Sequence, residues 1–140
     1  MRLEITSNPN EEDDQLIISK TREYNSAFAP TEFKLLSIYC RNDNGEIVGG
    51  LTGKSFWDWL HIEYLWVNES ERGKDVGTQI MLAGEDEAIN RGCIGSTLDT
   101  FSFQALGFYE KLGYSVTGKL SGYLGKYERF YLQKKLGQKI

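Results

Sequence analysis

A chain of 140 residues has the length of one domain and enough material for a hydrophobic core. Its balance of 40% hydrophobic and 26% charged residues excludes a disordered segment, and no apolar run approaches the length of a bilayer span. Sixteen basic against twenty acidic residues leave a net charge of −4. That weighs against nucleic acid as a partner and suits a cationic one, such as a polyamine or an aminoglycoside.

The N-terminus turns acidic at Glu11-Glu12-Asp13-Asp14 and has no secretory pattern, and Cys40 and Cys93 lie far apart in apolar contexts. Reduced core thiols and a cytoplasmic, membrane-free protein are expected. Residues 2–6 alternate and predict a short strand. Residues 11–28 predict a helix with four acids in its first turn, Leu16, Ile17 and Tyr24 on its buried side, and Pro30 as its stop. Residues 33–41 and 46–54 predict a hairpin around Asp43-Asn44-Gly45, with a type I′ turn at Asn-Gly. Gly49, Gly50 and Gly53 weaken its second strand unless something packs closely on the backbone.

Residues 57–67 carry apolar side chains on both faces and predict a central strand. In regular alternation, Trp57, Trp59, His61, Glu63, Leu65 and Val67 share one face. A helix over 75–90 follows, with Glu85-Asp86-Glu87 read as a solvated acidic face and Gly92 as a C-terminal stop. Residues 94–100 form a short buried strand. A helix over 103–112 has Thr100 and Ser102 as capping candidates and ends at Gly113. Residues 114–120 and 127–135 complete the pattern as a pair of strands. The predicted order is β-α-β-β-β-α-β-α-β-β, a single α/β domain over 1–140 with a mixed (α+β) sheet.

The segment Leu65-Trp66-Val67-Asn68-Glu69-Ser70-Glu71-Arg72-Gly73-Lys74-Asp75-Val76-Gly77-Thr78 runs a buried strand through a basic loop straight into a helix. Unpaired backbone N–H groups at that helix start, with Arg72 and Lys74 beside them, describe an anion site. It is neither a Walker A loop nor a dinucleotide fingerprint.

Arg72-Gly73-Lys74-Asp75-Val76-Gly77 resembles the [Arg/Gln]-x-x-Gly-x-[Gly/Ala] motif of the GNAT superfamily of acetyl-coenzyme-A-dependent N-acetyltransferases. Asp75 stands where the family usually has glycine. Phe108-Tyr109-Glu110-Lys111-Leu112-Gly113-Tyr114 resembles the family's late motif, in the same order and at the same spacing. The likeness covers about residues 33–135, with the family's second-helix region reduced, so that the site is open or completed by a partner in a homodimer.

The resemblance implies a GNAT acyl-CoA N-acyltransferase fold and direct transfer of acetyl from acetyl-CoA to an amine in a ternary complex. It implies cofactor contacts from the backbone of Leu65, Trp66 and Val67, and from Arg72, Gly73, Lys74, Asp75, Val76, Gly77 and Thr78. Ser102 falls where many relatives have an asparagine that touches the cofactor. Tyr109 is implied as the acid for the leaving thiolate.

Glu63 and His61 are the base candidates. A carboxylate in an apolar strand is costly to bury without a partner, and His61 is the only histidine. One histidine and two scattered cysteines do not make a zinc set, so no metal is expected. A small-molecule primary amine is the favoured acceptor, a protein N-terminus or lysine the alternative. A non-catalytic relative that binds coenzyme A or a protein partner is the competing class.

Overall fold

The computed structural model describes residues 1–30 and 32–137. By its contacts the chain divides into two compact units, Met1–Glu32 and Phe33–Ile140. In the first, helix α1 (Glu11–Asn25) starts at Asn10, whose side chain accepts from the Asp13 N–H at 3.0 Å. Four acids follow in its first turn, where the helix dipole favours them. Residues 2–6 form no strand. Leu16, Ile17 and Tyr24 are exposed rather than buried, because a unit of one helix has no second element to receive them.

The second unit is a six-stranded sheet in the order β1-β2-β3-β4-β6-β5. Its strands are β1 (Lys34–Arg41), β2 (Ile47–Phe56), β3 (Trp59–Val67), β4 (Gly95–Phe101), β5 (Ser115–Tyr123) and β6 (Tyr127–Lys135). All neighbours run antiparallel except β3 and β4, which are parallel. Helix α2 (Val76–Asn90) connects that parallel pair, and α3 (Leu106–Lys111) follows β4. Leu51, Leu60, Met81 and Leu132 form the centre of the core, with Ile80, Ala88 and Leu98 around them.

The first hairpin turns at Asp43-Asn44-Gly45, where the sequence puts it, but not as a type I′ turn. At the β1–β2 hairpin only Gly45 has positive φ. The Asn42 side chain accepts from the N–H groups of Asn44 and Glu46, and the Gly45 N–H bonds back to the Asn42 carbonyl. That side-chain scaffold replaces the type I′ turn. The φ pattern of a type I′ turn appears instead at Trp57 (47°) and Asp58 (69°), splitting the predicted long strand from its first two residues.

The pairing of β2 with β3 slips at its middle. Thr52 faces Tyr64 and Gly53 faces Ile62, which leaves Glu63 as the extra residue of a β-bulge. Leu60 and Ile62 point into the core before the bulge; Leu65 and Val67 do so after it. The regular alternation that grouped His61 and Glu63 with Leu65 and Val67 is therefore broken. Gly53 makes the bulge possible, since a Cβ there would fall on the His61 carbonyl oxygen. Gly49 and Gly50 are constrained in the same way, by Trp66 O at 3.1 Å and Ile38 O at 2.6 Å from an added Cβ.

Glu85 also corrects the sequence reading: it is 5% exposed, not solvated. Its carboxylate accepts from Lys134 Nζ at 2.7 Å and from the Tyr114 hydroxyl at 3.0 Å, while Ser96 Oγ lies 2.9 Å from that hydroxyl. The network ties α2, β4, β6 and the end of α3 together through a buried charge that has its partners.

Three stability outcomes follow. In urea denaturation, Gly53→Ala is expected to cost about 2–3 kcal/mol by overpacking against backbone. Gly107→Ala, in α3 with open space around an added Cβ, is expected to be neutral or to stabilise by up to about 1 kcal/mol. Lys134→Met, which strands the Glu85 charge, is expected to cost about 3 kcal/mol.

Candidate active site

Strands β3 and β4 pair only at Trp59–Gly95, Leu60–Ser96 and His61–Thr97. Beyond His61 they part, β4 continuing against β6 as far as Phe101–Arg129. The β4-facing backbone groups of Glu63 to Val67 therefore have no strand beside them.

Two clefts meet at this gap. One, of about 640 Å³, lies on the helix side; Leu65, Trp66 and Val67 form one wall, Leu98, Thr100, Phe108 and Tyr109 the other, and Arg72, Gly73, Val76 and Gly77 one end. The second, of about 630 Å³, lies on the opposite face among Lys54, His61, Thr97, Phe101, Arg129 and Tyr131. Ile62, Glu63, Tyr64, Leu98 and Asp99 line both.

The basic end of the first cleft is built from backbone. A 3-10 turn at Glu69–Glu71 leads to Gly73 (φ 80°) and then to Asp75, whose φ 60°, ψ 20° is left-handed. Asp75 stands at the N-cap of α2 but makes no side-chain cap hydrogen bond, and the first helical bond runs from Gln79 N–H to its carbonyl. The N–H groups of Val76, Gly77 and Thr78 thus have no acceptor within the helix. With the helix dipole behind them and Arg72 alongside, they can accept an anionic group. At Gly77 an added Cβ would meet the Phe108 ring at 3.3 Å, so a small residue lets α3 close on the start of α2.

The remaining predicted residues separate. Lys74 turns to Glu71, 3.3 Å away, and with Asp75 and Thr78 it lies outside the cleft lining. Ser102 is outside it too: its hydroxyl accepts from the Glu128 N–H at 3.1 Å, fastening the loop after β4 to β6. Gln104 occupies the lining instead, its amide oxygen accepting from the Phe101 N–H at 2.8 Å.

Tyr109 lines the first cleft, edge-on to Phe108 (5.1 Å) and Tyr114 (6.1 Å). Burial, and next the nearby Asp99 carboxylate, push its phenol above the usual tyrosine value, so it stays protonated at neutral pH. His61 lines the second cleft only, stacked on Phe56 at 4.3 Å. Burial, followed by Lys54, lowers its pKa against the pull of Glu63, which leaves the imidazole neutral. Glu63 reaches both clefts and pairs with Lys54 at 3.5 Å. Sequence reasoning missed Asp99 and Arg129, paired at 2.8 Å on the other side of the gap. Asp99, between Leu98 and Thr100, is like Glu63 an acid in an apolar strand.

Residues 3–114 match the family model described as "Acetyltransferase (GNAT) family". The chain belongs to the GNAT acetyltransferase family. Blasticidin-S acetyltransferase from Streptomyces morookaense is 37% identical over 91 residues, covering 64% of this chain and 67% of that one. The crystal structure of an acetyltransferase from Bacillus cereus superposes with a TM-score of 0.85 at 31% identity, over 95% of this chain and 98% of that one. A Bacillus anthracis protein solved in complex with acetyl coenzyme A shares the fold alone, with a TM-score of 0.66 at 20% identity over 74% of this chain and 63% of that one. The chain is thus an acetyltransferase with the GNAT mixed α/β fold.

In this GNAT chain Asp75 takes the motif position where glycine is usual, and its left-handed backbone explains the preference. Aspartate is one of the few side chains that visit that region at modest cost. Asp75→Ala is expected to lower stability by about 1 kcal/mol in urea denaturation, because alanine keeps the strain and lacks the polar side chain. Asp75→Gly is expected to be at least as stable as the parent.

Proposed function

We propose that the protein transfers acetyl from acetyl-CoA to the primary amine of a small molecule, by direct attack with both substrates bound. The observation that carries this reading is the pair of clefts joined at the parting of β3 and β4, one ending at the free N–H groups of α2 and the other lined by two acid–cation pairs and aromatic rings. The residues present fit acetyl-CoA. The unpaired edge of β3 offers backbone partners to an extended amide-bearing arm, and the N–H groups of Val76, Gly77 and Thr78, with Arg72, suit its phosphates. Acetyl-CoA supplies the activated thioester.

Tyr109, kept protonated by its burial, offers its O–H to the sulfur as negative charge develops there. The β3 backbone N–H groups at the gap are placed to polarise the thioester carbonyl. Glu63 and His61 face the second cleft, where an amine arrives charged and must lose a proton before it attacks. The dimensions of that cleft suit a small molecule, in keeping with the acceptor named in the Streptomyces relative.

The test is a thermal-shift titration with acetyl-CoA followed by an amine screen that includes blasticidin S. Binding to the folded state is expected to raise stability by about 2.7 kcal/mol at a hundredfold excess over Kd. Tyr109→Phe is expected to keep that shift and to lose about 100-fold in kcat. No shift at millimolar acetyl-CoA contradicts the proposal.

A further inference from the structure

The open face of the sheet carries two acid–cation pairs, one on each lip of the gap. On the β3 lip, Glu63 is held by Lys54 from β2; on the β4 lip, Asp99 is held by Arg129 from β6. Arg129 is itself fixed, lying over the rings of Phe101 (5.6 Å) and Tyr131 (5.1 Å). Its Nε donates to Asp99 Oδ2 at 2.8 Å. A carboxylate has two oxygens and about four acceptor sites, so this tether leaves capacity for a second cation.

Asp99 differs from the other acids of this face in one respect. It lines both clefts, as Glu63 does, and its charge also acts on the Tyr109 phenol, which lines the first cleft on the same side of the gap. His61 lines only the second cleft, and Lys54 and Glu63 are the charges that act on it. Asp99 therefore stands between the group that serves the leaving sulfur and the cleft through which an amine enters.

We propose that Asp99 is a catalytic residue: its carboxylate receives the acceptor's ammonium group at the opening between the two clefts and takes the first proton that the nitrogen loses. Arg129 is its positioning residue, holding one oxygen so that the other points to the gap. The nitrogen must shed two protons in all. One passes to Asp99 and on to solvent; the other passes to water at the gap as the C–N bond forms and the C–S bond breaks, while Tyr109 gives its proton to the sulfur and regains one from that water. The acceptor class is thus an amine protonated in solution, and a neutral nucleophile gains nothing from Asp99.

The inference rests on the acetyl-transfer reading above, and the experiment separates the two. Asp99→Asn keeps an oxygen for Arg129 Nε and removes the charge. Parent and variants are compared for their melting rise with acetyl-CoA and for acetylation of spermidine and kanamycin. Asp99→Asn is expected to keep the cofactor-induced rise and to lose about 100-fold in kcat/KM for the amine. Asp99→Glu is expected to recover part of that loss. Arg129→Gln, which leaves the carboxylate in place, is expected to retain more than about a tenth of the parent rate.

A rate in Asp99→Asn within about threefold of the parent overturns the proposal. So does a loss in Arg129→Gln as deep as in Asp99→Asn, which assigns the pair a structural role. A parent that binds acetyl-CoA yet acetylates neither amine overturns this proposal alone; a parent that shows no cofactor-induced rise overturns both readings.

Discussion

One surplus residue in β3 governs the site. Opposite Gly53, where any side chain would strike the His61 carbonyl, the strand takes up Glu63 as a bulge and changes the parity of everything after it. A bulge bends its strand and increases the twist. Upstream, β3 lies parallel to β4 for three residue pairs; downstream the two have no pairing. The same change turns Leu65 and Val67 into the core while Glu63 and Tyr64 stay at the gap, in reach of both clefts.

The charges of the site follow from this geometry. Backbone donors gather at the start of α2 because Gly73 and Asp75 adopt left-handed backbone there and no side chain caps the helix. Carboxylates gather on the other side of the gap, each balanced by a cation on an adjacent strand. Backbone donors and paired carboxylates thus lie on either side of one opening, and the half-buried Tyr109 phenol lines the cleft that ends at the donors. Behind this, the Glu85–Tyr114–Lys134 network fixes the chain at the end of α3, which carries Tyr109.

Much of the fold was legible because its signals are local. The helical spacing of Val76, Ile80 and Ala88, the stop at Gly92 and the motif around Arg72 place α2 and the basic loop, whereas α3 starts at Leu106 behind an uncapped Ala105, not at residue 103 behind Thr100 or Ser102. Elements that depend on distant partners were not legible. Residues 2–6 alternate like a strand but form none, and the bulge at Glu63 answers to a glycine on a neighbouring strand. Glu85 looked solvated because its partners, Tyr114 and Lys134, are 29 and 49 residues away. Ser102 matched a motif position, yet its hydroxyl is taken by the Glu128 backbone. Asp99 was within reach of the reasoning applied to Glu63, but its pairing with Arg129 across 30 residues was not.

The most direct test of the parted-strand site is an amide NMR titration of the 15N-labelled protein with coenzyme A. Saturable shifts are expected at the amides of residues 63–67 on β3 and 72–78 at the start of α2, with β1 and β5 undisturbed. Shifts confined to other strands, or none at millimolar coenzyme A, would contradict it.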